Sequence, residues 1–75
     1  MSAAISRAVR LVHIMERLRH GEALLASELA REYGCSQRSI ERDFRALARA
    51  PFHLPLAQDD LTWAWQLVQA ERGAT

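Results

Sequence analysis

Residues 25–47 read LASELAREYGCSQRSIERDFRAL, two helical patterns with a tight break between them. Leu25, Leu29 and Ala30 recur at helical spacing, so a short helix is expected over about Ala26–Tyr33. Gly34 can take the positive φ that closes such a helix. Ser36 then stands where a side-chain oxygen caps the first amides of a third helix, expected over about Gln37–Arg49. Pro51 stops that helix, because proline lacks the amide donor and pushes its predecessor out of the helical region. A short helix, a tight turn and a capped second helix make the helix-turn-helix arrangement, whose second helix enters the DNA major groove.

The third helix is two-faced. At about 100° per residue, with Arg38 at zero, Arg42, Arg45 and Arg49 fall at about 40°, about −20° and about 20°. Ile40, Phe44 and Leu47 fall at about 200°, about 240° and about 180°, so the apolar stripe lies opposite and faces the core. Four arginines therefore share one narrow outer face. A solvated face usually mixes charge signs, whereas Glu41 and Asp43, at about −60° and about 140°, flank this row instead of alternating with it. Asp43 would repel phosphate and is expected to orient a neighbouring arginine or cap another element.

Ahead of this segment, Ile5, Val9, Val12, Met15 and Leu18 form the stripe of an amphipathic first helix, about 4–19, with Ser2 as its cap and Gly21 as its stop. Beyond Pro51 the period changes to two. Phe52, Leu54 and Leu56 alternate, Asp59 and Asp60 mark a turn, and Leu61, Trp63, Trp65 and Leu67 alternate again, so a hairpin over about 52–68 is expected. Pro55 keeps its first strand short or irregular. Leu61, Trp63, Trp65 and Leu67 would share one face, either covering the three-helix core or reaching an interface, where aromatics concentrate.

The whole chain is 75 residues with a net charge of +1, which bounds one small domain of marginal stability. The charge is unevenly spread. Residues 1–50 carry nine arginines against six acids, and residues 51–75 one against three. All the Lys and Arg positions are arginine, which a GC-rich genome alone would produce, although arginine is also the side chain whose planar fork suits phosphate and guanine. One cysteine and three scattered histidines make neither a disulfide nor a zinc site, which fits a cytoplasmic protein. No signal peptide or membrane span is expected, since no segment approaches about 18 apolar residues. There is no phosphate-binding glycine loop, no paired carboxylates in a plausible pocket and no nucleophile with a matched base, so no enzyme, metal or cofactor is expected.

The Leu25–Leu47 string resembles the DNA-binding segment of DeoR-like and WYL-domain transcription regulators, whose pattern reads roughly "LA..YGVS.RTI.RD...L". The preceding RLVHIMERL is similar to that family's first helix. The resemblance implies a winged helix-turn-helix, mainly α with a small β-hairpin wing, and a sequence-specific transcriptional regulator or its DNA-binding domain. Ser36, Arg38, Ser39, Arg42 and Asp43 stand at matched positions. Ser36 would cap the helix and touch phosphate, while Gln37, Arg38 and Ser39 would meet base edges. Arg42 would reach base or phosphate; Arg45 and Arg49 lie nearer phosphate or solvent.

Three features depart from the family pattern. Cys35 replaces the usual valine and reads as a small buried hydrophobe. Leu25 stands where many members carry a capping Ser or Thr, so the second helix can start later, with Ser27 as cap. The acidic Asp59-Asp60 tip would be repelled by phosphate, so a DNA-contacting wing tip is not expected. The expected partners are double-stranded DNA and either a second copy, reading half-sites about 34 Å apart, or a C-terminal effector domain in a longer parent chain. The alternative is a protein-interaction winged helix that uses the acidic wing and the Trp63/Trp65 face without binding DNA.

Overall fold

The computed structural model describes residues 5–68. Three helices, α1 (Arg7–Arg19), α2 (Ala26–Tyr33) and α3 (Gln37–Ala48), precede two strands, β1 (Leu56–Gln58) and β2 (Trp65–Leu67). The strands pair antiparallel, with Leu56 opposite Leu67 and Gln58 opposite Trp65. This is a mainly helical fold with a small β-hairpin, in a winged-helix-like layout.

The start of α1 differs from expectation. Its cap is Ser6, whose hydroxyl accepts the Val9 amide at 3.2 Å, and the expected cap Ser2 lies outside the described residues. Ser6 is extended, so its side chain can reach back to the free amides of the first turn. The other end closes as a Schellman motif: the Gly21 amide donates to Leu18 and the Glu22 amide to Arg17. Gly21 has φ 87°, a conformation costly for residues with a Cβ.

Ser27 is not the cap of α2. Leu25 occupies that position without a side-chain bond, because Leu24 is already committed to a β-bridge with Trp65. Each of these two residues donates its amide to the other's carbonyl at 2.7 Å. That pairing extends the chain into α2 and ties the hairpin to the segment between α1 and α2. Gly34 adopts the left-handed conformation that ends α2, and the Cys35 amide returns to the Ala30 carbonyl at 2.9 Å.

Beyond α3 the chain departs further from simple alternation. Arg49 lies just past the helix with an extended backbone, and His53 and Leu54 donate back to Arg49 and Leu47 at the helix end. Residues 52–55 therefore serve as a fold-back loop, and β1 starts only after Pro55. The hairpin connection is also wider than the expected turn at Asp59-Asp60. Asp59 accepts the Leu61 and Thr62 amides on Oδ1, while its backbone pairs with Ala64 and Trp63. This arrangement gives Trp63 a φ of 67° and turns Ala64 inward.

The core is built from Ile14 and Leu18 of α1, Leu29 of α2, and Ile40, Phe44 and Leu47 of α3, all essentially inaccessible to solvent. Trp65 closes it from the hairpin, stacked on Phe44 with ring centroids 4.9 Å apart and planes 10° from parallel. Such offset stacking adds to the apolar burial of both rings.

Candidate nucleic-acid interface

The apolar stripe of α3 is buried against α1 and α2, which leaves its opposite face outward. Arg38, Arg42 and Arg45 lie on that face and are exposed. Arg49 is exposed too. Its extended backbone removes it from the helical row, so the angle expected for it does not apply. Among the described residues, the ion pairs engage Arg7, Arg10 and Arg17 and none of these four.

At the amino end of α3, Ser36 caps as expected: its Oγ accepts the Ser39 amide at 3.1 Å and its hydroxyl donates to Ser39 Oγ at 3.0 Å. Gln37 is exposed, and its amide nitrogen donates to Glu41 Oε2 at 3.3 Å. That bond draws Glu41 along the helix toward Gln37. Both residues line a concavity shared with Ser27, Thr62 and Trp63, which places the hairpin tip beside the start of α3.

The other acid of α3 is withdrawn from the surface altogether. Asp43 is fully buried, and its two oxygens accept bonds from Arg7 and Arg10 of α1. Arg7 Nε lies 3.0 Å from Oδ1 and Arg10 Nη2 3.2 Å from the same oxygen, while Arg10 Nε meets Oδ2. The hydrogen bond to Asp43 holds the Arg10 guanidinium above its ordinary proton affinity, against the opposing effect of burial. Asp43 thus orients arginines, as expected, but those of α1.

Arg7 and Arg10 were not among the expected site residues. A signal for them exists in the helical angles. At about 140° from Arg38, Asp43 sits at the border of the apolar stripe, where a carboxylate requires a cationic partner. Arg10 in turn lies about 40° from Ile14 on α1, on the core side of that helix. The two positions belong to facing stripes.

The structure separates the two tryptophans that alternation placed together. Trp65 packs into the core, and its Nε1 is buried without a partner among the described residues. Trp63 is 64% exposed and Leu61 89% exposed, both on the hairpin loop. The shared apolar face of Leu61, Trp63, Trp65 and Leu67 does not form, because the loop held by Asp59 breaks the period of two after β1. Cys35 is half-buried beside the core.

Among the described residues, no cluster of three His, Cys, Asp or Glu side chains could hold a metal ion. No described helix is long and apolar enough to cross a membrane. Three helices, a hairpin hydrogen-bonded back to the α1–α2 connection and a row of exposed arginines on α3, in no ion pair among the described residues, make a small winged-helix-like module. Comparison with protein-family models, curated proteins and solved structures returns no match.

Proposed function

We propose that the chain is a sequence-specific DNA-binding transcriptional regulator of the DeoR-like kind, or the DNA-binding domain of one, rather than an enzyme. In this reading α3 lies in the major groove, with Gln37, Arg38 and Ser39 at base edges. Arg42 reaches base or phosphate, Arg45 reaches phosphate, and Ser36 presents the capped helix end to the backbone. A second copy, or an effector domain in a longer chain, supplies the affinity that one module lacks.

The observation that carries the reading is the charge arrangement of α3. Arg38, Arg42 and Arg45 are exposed and unpaired among the described residues, while Asp43 of the same helix is buried and neutralised from α1. A merely solvated helix has no need to bury one of its two acids and leave these arginines without an ion pair. Arg38→Ala and Arg42→Ala each remove an exposed side chain with no ion pair among the described residues. Each should weaken specific binding by roughly 1–3 kcal/mol if the arginine reads a base, with an unchanged melting temperature. Fluorescence anisotropy with duplexes selected from a random pool measures this. No binding by the unsubstituted chain at tens of micromolar and low salt would overturn the reading, since ordinary non-specific constants are roughly 10⁻⁴ to 10⁻⁶ M.

A second reading, a protein-interaction winged helix, draws on the exposure of Leu61 and Trp63 beside Asp59 and Asp60. Trp65 plays no part in it, being committed to the core. Retained DNA binding after Trp63→Ala would count against this alternative, whereas loss of a partner with DNA binding absent throughout would favour it.

A further inference from the structure

Asp43 is held by two arginines although one satisfies it. Arg10, buried, meets both carboxylate oxygens through Nε and Nη2. Arg7 adds one more bond, Nε to Oδ1 at 3.0 Å, from a side chain that is 56% exposed. A half-exposed second arginine adds little to a pair already complete, because solvent screens it. Two guanidinium charges meet one carboxylate, so a positive charge is left over, and Arg7 is the member that faces water.

The way Arg7 is held matters as much as its charge. Its bond to Asp43 uses Nε alone, and among the described residues Nη1 and Nη2 have no hydrogen-bond partner. Among the described residues, then, the outer edge of the guanidinium fork, which matches phosphate oxygens, is unengaged while the base of the fork is fixed. Asp43 lies about 100° round α3 from Arg42 and one turn beyond Ser39. Arg7, from the first turn of α1, thus meets α3 at the border between its buried face and its arginine row.

We propose that Arg7 is a phosphate-binding residue, its Nη edge taking a DNA backbone oxygen beside α3 while Asp43 holds Nε and aims the fork. The proposal rests on the DNA-binding reading given above. It adds α1 to the contact surface and gives the buried Asp43 a role as a positioning residue in binding as well as in packing.

The test is a salt titration of binding to a labelled random-sequence duplex, with melting temperatures measured in parallel. Arg7→Ala should make the slope of log K against log salt shallower by about 0.9, the loss of one phosphate contact. Arg7→Lys, which keeps the charge, should retain the original slope. Arg10 still holds Asp43 in both variants, so folding should be preserved; if Arg7→Ala does not fold, Arg7→Gln carries the same test. A purely structural Arg7 would lower the melting temperature and leave the slope unmoved, and an unmoved slope overturns the phosphate contact while DNA binding stands. Absence of binding by the unsubstituted chain overturns the DNA reading and this contact with it.

Discussion

A fully buried carboxylate on an arginine-rich helix has to be neutralised, and for Asp43 the neutralising groups come from another helix. The arrangement is asymmetric in its energetics. Arg10 is almost as buried as Asp43, so removing Asp43 strands a buried charge, and removing Arg10 leaves the carboxylate only the half-exposed Arg7, at a cost of up to about 3–5 kcal/mol. For a domain of this size that is a large part of the whole stability. Arg10→Ala is therefore expected to unfold the chain or lower its urea midpoint severely, as followed by tryptophan fluorescence, whereas Arg7→Ala is not. The pair should give little pH dependence near neutrality from the arginine side. The proton affinity of Arg10 is raised, so its contribution is full at any pH below about 12 and is lost only as pH climbs through the folded-state value.

At the scale of the element, the hairpin contains two tryptophans with opposite burdens. Trp65 lies on β2 and stacks on Phe44, and its removal opens a gap against a fully buried ring. Trp65→Ala should cost about 3 kcal/mol or more. Trp63 sits on the loop, mostly in solvent, and Trp63→Ala should stay within about 0.5 kcal/mol. Thermal or urea unfolding of the two variants measures the contrast directly. The strand period alone made these residues equivalent, and it failed because Asp59 folds the intervening residues into a loop through its own carboxylate. The helices were more legible in their ends than in every face: Val9 and Val12 of the stripe expected for α1 are exposed, and Ile14, outside that stripe, is fully buried. Gly21, Gly34 and Ser36 are local punctuation, and each acts within a few residues of its own position in the chain. Leu25 shows the limit of such local reading, since the start of α2 depends on a bridge to Trp65, far along the chain.

Over the whole molecule, the same division between local and distant causes governs the candidate site. The arginine row was readable from helical angles alone, because Arg38, Arg42 and Arg45 share one helix. The link from Asp43 to Arg7 and Arg10 spans more than thirty residues and depends on how α1 crosses α3, which no single helix encodes. The bridge between Leu24 and Trp65 has a comparable reach and a dynamic consequence. It means that the hairpin cannot peel away from the helices as an independent flap without breaking two backbone bonds at buried or half-buried positions. In deuterium exchange, the Leu24 and Trp65 amides should be protected to about the same free energy as the amides of α3, reporting one cooperative opening. Rapid exchange at Leu24 with α3 still protected would reveal a loosely leashed wing instead. If the two exchange together, any tilt imposed on the hairpin by a bound partner is transmitted to the connection that leads into α2, and the module responds as a single lever.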